Sequence, residues 1–292
     1  MYRLDGFQKC ISLRDVLKRD NDYSMGNISL ETREDIEEAT KLINNIHNPK
    51  IIEAYKTGIP SELANSSGVM WQPSLYNLVL ESALASKYVV DEALINSRSL
   101  AIIGGGHHAE IETPYGFCTI NTMAISAKYA LNKVNSAAIF DLDTHYSNGC
   151  FDTLKDEQRA KIYSIWNQKL DKWKYFPNST QVCHYKVDNA EDYFKNLDQI
   201  LNNIKENKPE LLIYHMGLDV LETDRMGGIK GMNEQKLIER EKLISQYIKE
   251  LNIPLAIFLG GAYINWSNGT EFASIQREEV VSLQHTLLNI LK

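Results

Sequence analysis

Residues 138–149 read AIFDLDTHYSNG, an apolar run that ends in Asp141, Asp143 and His145. Successive strand side chains point to opposite faces, so three ionisable groups on alternate residues would share one face. Two carboxylates and an imidazole crowded at a strand end carry a desolvation cost of several kcal/mol unless something pairs them. A divalent cation is the economical partner. Asp219, at the end of HMGLD, would complete the set from a neighbouring strand. Asp143, His145 and Asp219 then make three donors, the number an open catalytic zinc site uses while leaving room for water and substrate. Such an ion lowers the pKa of bound water to about 7 and polarises a carbonyl.

The elements that must position these groups follow an alternating pattern. Short apolar runs (SLAIIGGG, SAAIFD, AKIYSI, ELLIYHMG and PLAIFLGG) are separated by helix-like segments such as NTMAISAKYAL and NEQKLIEREKLISQYIKEL. Uninterrupted apolar strands alternating with helices predict an α/β fold with a parallel sheet covered on both faces. Ligands in such sheets bind beyond the carboxyl ends of the strands. Four of the five runs end in chemistry: His107 and His108 after three glycines, the Asp141–His145 group, Asp219, and Tyr263 in LGGAY. Upstream, Thr32 and Asp35 read as a capping box, with Ile36, Ala39, Ile43 and Ile46 as the apolar stripe of the helix they open. Pro49 suits a first helical position, and a long helix runs from about Pro73. The first thirty residues read as polar and irregular.

Composition narrows the class. The 292 residues carry a formal net charge of -7 with no Lys/Arg-rich block, which argues against direct nucleic-acid binding. Cys10, Cys118, Cys150 and Cys183 are widely spaced with no CxxC, suiting a reducing compartment rather than a disulfide framework. No signal peptide or eighteen-residue apolar span is apparent, so a cytoplasmic protein that does not enter the membrane is expected.

Five motifs, taken in order, resemble the histone deacetylase superfamily, which includes acetylpolyamine amidohydrolases and acetoin-utilisation-type proteins. GGGHHAEIETPYGFCTIN is similar to the tandem-histidine motif with its GFC-x-x-N continuation, and DLDTHYSNG to DxDxHHGxG. YSI at 163–165 fits the following strand, GLDVLETDRMG resembles GxDxxxxDxxG, and LGGAY resembles LGGGY. The resemblance implies the three-layer α/β/α arginase/deacetylase fold as a single catalytic domain over residues 1–292, with 1–30 atypical. It implies Zn2+, with Fe2+ as the alternative, on Asp143, His145 and Asp219. His108 would be general base and acid, His107 its electrostatic partner, and Tyr263 the donor to the oxyanion. Asp141 would orient His107, and Asn148 would orient His108. Gly116, Phe117, Phe176, Met226 and Gly261 would line the substrate site, and a structural K+ would sit near Asp141, Asp143, His145 and Ser164.

The residue types suit that chemistry on their own terms. An amide carbonyl is a poor electrophile, so metal polarisation joined to a neutral His108 that takes a proton from water and returns it to the leaving amine is a workable route. Departures from the family pattern lie at Tyr146, where a second histidine is usual, at Ser147, at Thr122, and in the absence of an HPE-x-P-x-R signature. Met226 stands where a Glu marks polyamine-preferring members. Of the remaining histidines, His47, His184 and His285 read as surface or packing residues, while His215 ends a strand near the site. Cys118 reads as a packing residue, and Asp224 as support for its loop. The expected activity is removal of an acetyl or other acyl group from an amine, on acyl-lysine or a small acylated amine. Two rivals are a catalytically silent metal-binding protein of the same fold and a two-manganese hydrolase of the arginase type.

Overall fold

The computed structural model describes residues 12–20, 22–168, 175–262 and 272–292, with side chains in the last helix from 279 onward. Leu13 and Leu17, four residues apart on a helical segment over 12–17, are fully buried. The expectation of an irregular amino-terminal segment is therefore corrected. Its signal was present in the i, i+4 spacing of the two leucines.

After that segment, four helices lead to the first strand: α1 (Arg33–Asn44), α2 (Pro49–Thr57), the single turn α3 (Ser61–Ala64) and α4 (Ser74–Asn96). Thr32 and Asp35 form the expected capping box, and Asn48 caps α2 with Pro49 as its first residue. Ala39, Ile43 and Ile46 are buried as expected, but Ile36 is exposed and Leu42 takes the buried position instead. The contact stripe is set by which side of α1 meets α4, and that direction is tertiary.

From residue 98 onward strands and helices alternate. They are β1 (Arg98–Gly104), α5 (Thr122–Ala130), β2 (Ala137–Asp141), α6 (Asn148–Leu154), β3 (Ala160–Trp166), β4 (Val182–Lys186), α7 (Ala190–Asn207), β5 (Leu211–Met216), α8 (Glu234–Leu251), β6 (Leu255–Leu259) and α9 (Phe272–Leu291). The six strands form one sheet in the order β1-β6-β5-β2-β3-β4, every pairing parallel. β4 is the strand that apolar runs did not predict. It lies at the sheet edge, and its alternation VCHYK puts the polar His184 on the buried side, so no continuous apolar run marks it.

Alternate residues of each central strand serve two cores. Ile139, Ile213 and Phe258 join the layer packed by α1, α2 and α4–α6. Phe140, Tyr214 and Leu259 join the layer packed by α7–α9. Both faces of the sheet are thus covered, which produces the three layers. The chain runs from β2 outward through β3 and β4, then returns to the other side of β2 as β5. β2 and β5 therefore flank the topological switch point, where the carboxyl ends of strands leave a crevice.

Phe140 is fully buried on the central strand, with its ring 5.5 Å from Tyr214. Phe140→Ala is expected to lower stability by about 3–5 kcal/mol, read by urea unfolding, because the surrounding strands close only partly over the lost volume.

Candidate metal and proton-transfer site

β2 ends at Asp141, so Asp143 and His145 lie beyond the strand, on a turn rather than on one pleated face. The turn is built from its own carboxylates: Asp143 N–H donates to Asp141 Oδ1 (3.1 Å) and His145 N–H to Asp143 Oδ1 (3.0 Å). The expected common face is replaced by two adjoining sets. Asp143, His145 and Asp219 form one, and His107, Asp141 and His215 the other; within each set the candidate ligand atoms lie within 4.8 Å of one another.

In the first set His145 Nδ1 lies 2.9 Å from Asp143 Oδ1 and 3.0 Å from Asp219 Oδ2, while its Nε2–H donates to the Met226 carbonyl (3.0 Å). That outer hydrogen bond leaves Nδ1 facing the carboxylates as the ligand atom. The remaining carboxylate oxygens are held by backbone donors, Thr144 N–H to Asp219 Oδ1 (3.0 Å) and Gly261 N–H to Asp143 Oδ2 (2.8 Å). Asp143 and Asp219 are buried and His145 nearly so. A side-chain carbon at Gly261 would stand 2.2 Å from Asp219 Oδ2, so the close approach of this backbone requires glycine.

In the second set Asp141 serves two imidazoles. His107 Nδ1–H donates to its Oδ2 (2.8 Å) and His215 Nδ1–H to its Oδ1 (2.9 Å). His215 is thereby placed in the site's polar support. The two sets touch where His107 Nε2 comes within 3.6 Å of Asp143 Oδ1.

His108 stacks beside His107 at 3.9 Å between ring centroids and faces His145 edge-on at 5.8 Å. Its Nδ1–H donates to Asn148 Oδ1 (2.8 Å), and Asn148 in turn donates from Nδ2 to Glu110 Oε1 (2.8 Å). An ionised carboxylate accepts only, so Glu110 orients the amide, the amide orients the imidazole, and His108 Nε2 is left as an acceptor. Glu110 escaped the sequence reading although it stands two residues after His108. Its carbonyl accepts from His47 Nδ1–H (2.9 Å), and His47 Nε2 accepts from Asn121 N–H (2.9 Å). His47 is a buried strut of this loop.

Electrostatics follow burial and partners. Burial, then the neighbouring His107 and His145, hold His108 well below the ordinary histidine value, so it is neutral at pH 7. Burial opposes charge on His145, but hydrogen bonds to Asp143 and Asp219 outweigh it and raise the imidazole to about 11 when no cation is present. Burial and the charge of Asp143 raise Asp219 to about 7. Asp141 is held below the usual carboxylate range: burial works against ionisation, and its two histidine partners overcome it.

Of the substrate-side residues, Gly116 lies against His108, where an added side-chain carbon would sit 2.3 Å from the ring. Phe117, next in sequence to Gly116, and Met226, whose carbonyl accepts from His145, are each 40% exposed. Phe176 is drawn toward the core, 6.0 Å from the Phe151 ring, and its backbone N–H donates to Tyr146 Oη (2.7 Å). Tyr146 is fully buried in that aromatic cluster. His184, also buried there, accepts from Trp166 Nε1–H (2.9 Å) and donates to the Phe176 carbonyl (2.7 Å). His285 pairs with Asp20 near the surface. Asp224 accepts from Met226 N–H and Gly227 N–H, as expected of a loop support. Cys118 is half-buried, its thiol pushed by burial up to about 12, which leaves no thiolate at neutral pH. Tyr263 lies outside the described residues.

The sheet is all parallel, helices cover both of its faces, and two His/Asp sets lie at its switch point. The family model described as "Histone deacetylase domain" matches residues 13–278, and the chain belongs to that family. Histone deacetylase 2 of Arabidopsis thaliana is 30% identical over 184 residues, covering 60% of this chain and 47% of that protein. An uncharacterised protein of Picosynechococcus is 25% identical over 227 residues, covering 75% of this chain and 74% of its own. The chain thus spans about half the length of the plant relative. The crystal structure of acetylpolyamine aminohydrolase from Burkholderia pseudomallei superposes with a TM-score of 0.71 over 98% of this chain and 90% of that one, at 14% identity, a likeness of fold. Among the described residues no helix is long and apolar enough to cross a membrane.

Gly261→Ala is expected to keep the folded circular-dichroism spectrum and to weaken zinc binding about 10–100-fold in chelator competition, because the methyl group displaces both carboxylates. pH gives a second test on metal-stripped protein. The raised His145 pKa adds stability that is complete below about pH 6.5 and is lost as pH rises through about 11. The raised Asp219 pKa adds stability that is complete below about pH 3.9 and is lost through about 7. The thermal midpoint of the stripped protein is therefore expected to fall from pH 6 to pH 10, and zinc is expected to remove much of that fall.

Proposed function

We propose that the protein is a zinc-dependent amidohydrolase that removes an acetyl or related acyl group from an amine, acting with its whole chain as one catalytic domain. The observation that carries this reading is the convergence of Asp143, His145 and Asp219 beneath two imidazoles whose outer nitrogens are each tied to a different partner. The donor set suits the ion: two carboxylate oxygens and one imidazole nitrogen, with backbone N–H groups holding the outer oxygens. Zinc bound there would polarise the amide carbonyl and ease deprotonation of water.

The chain's own groups do the rest. His108, neutral and with Nε2 free of its proton, accepts a proton from the attacking water and returns it to the departing amine, a contribution of about 10²–10⁴-fold. Asp141 keeps His107 oriented beside it, with the ring's other nitrogen turned toward the donor set. Asn148 orients His108 without adding a charge, while burial keeps the ring neutral and ready to accept a proton. Tyr263 is assigned the hydroxyl donor to the oxyanion. Phe117 and Met226 give the mouth an apolar rim, with no carboxylate at Met226 to hold a second amine, which favours acyl-lysine or another neutral amide. Ser164 supports a monovalent cation behind the site: it stands in register with Asp141, and its buried hydroxyl has no hydrogen-bond partner.

Zinc-loaded protein is expected to hydrolyse at least one member of a panel of acetyl-lysine peptides and acetylpolyamines. His108→Ala should lower kcat about 10²–10⁴-fold and Tyr263→Phe about 10²–10³-fold, both with zinc retained. Zinc uptake without turnover on any acyl amide would instead identify a silent metal-binding protein, and two bound manganese ions an arginase-type centre.

A further inference from the structure

We propose that Arg240, neutralised by Glu241, is a positioning residue for the cation site, its buried guanidinium holding the Gly217 carbonyl and with it the turn that presents Asp219. The proposal rests on the reading of Asp143, His145 and Asp219 as metal ligands.

Arg240 projects from α8 into the sheet layer and is fully buried, one of the largest side chains in the protein to be so. Its Nε and Nη2 donate to Glu241 Oε1 (2.9 and 2.6 Å), and its Nη1 donates to the Gly217 carbonyl (2.9 Å). Tyr214 Oη donates to the same Glu241 oxygen (2.7 Å). Glu241 Oε2 is buried with no hydrogen-bond partner. A buried ion pair is a poor source of net stability, since well-packed apolar residues do as well or better, and this pair leaves one oxygen unsatisfied. What it supplies that apolar residues would not is a fixed donor at Gly217.

Gly217 is where that donor matters. It connects β5 to Asp219, and a side-chain carbon there would stand 2.5 Å from Asp143 Cα. The next two amides, Leu218 and Asp219, both donate to the Gly261 carbonyl (2.8 and 3.0 Å). One peptide therefore abuts the backbone of both carboxylate residues and of the glycine that holds Asp143. Anchoring its carbonyl from below sets the direction of the amides above. Glu241 matters because an unpaired guanidinium would put a positive charge in low dielectric beneath a cation site; paired, it offers the donor with little net field.

The test compares wild type, the double variant Arg240→Met/Glu241→Met and Arg240→Lys by zinc affinity in chelator competition and by the thermal midpoint of stripped protein. The double variant removes both charges together and is expected to keep its stripped midpoint within a few degrees while zinc affinity falls about 10–100-fold. Lysine, a single point charge on a flexible stem, does not span Glu241 and Gly217 at once, and a loss of about 10-fold is expected. If the double variant does not fold, Arg240→Lys decides. Wild-type zinc affinity in a folded variant overturns the role of Arg240 while leaving the metal site standing. Absence of zinc uptake by wild type overturns the site reading and this proposal together.

Discussion

Two carboxylates, Asp143 and Asp219, are buried against each other at the meeting of β2 and β5, and the surrounding structure is arranged around that constraint. Like charges in low dielectric repel strongly, and each also loses its hydration. The structure answers with three devices on different segments: a bridging imidazole from His145, a backbone N–H for each outer oxygen, and glycines where strand ends must come closer than a side chain allows. With no cation present, a proton on His145 occupies the place a metal would take. The same donors could therefore take either a proton or a divalent cation, which would link proton release to metal uptake.

The outer support has a consistent logic. His107 leans on a carboxylate that also serves His215, whereas His108 leans on an amide that Glu110 orients. The amide fixes the orientation of His108, and burial with the neighbouring imidazoles keeps that ring neutral. Two adjacent histidines thereby rest on chemically different partners.

The departure at Tyr146 takes a physical form that leaves the donor set intact. The side chain points away from Asp143 and Asp219 into a cluster with Phe151, Trp166 and His184, and its hydroxyl accepts from the Phe176 amide. This chain uses the position to pin the segment after residue 174 against the core. Phe176 is correspondingly turned toward Phe151, whereas Phe117 and Met226 are exposed.

The parallel sheet, two covered faces and chemistry at strand ends were legible in the sequence, because buried strands demand apolar runs and ionisable groups at their ends stand out against them. The capping box at Thr32 and the start at Pro49 were legible for the same local reason: the information lies within four residues. What sequence alone did not carry is whatever depends on neighbours far along the chain. The edge strand β4 has no apolar run of its own. The strand at Asp141 stops before its pleat would align Asp143 and His145, so the division into two donor sets is set by His215 on β5 and by Asp219 in the turn beyond it. Glu110, His47, Arg240 and Glu241 look like ordinary residues until the fold removes water from them. Residue type and spacing determined which chemistry is available, while burial and the tertiary choice of partners decided which imidazole nitrogen faces which carboxylate, since proton affinity depends on surroundings that no local stretch contains.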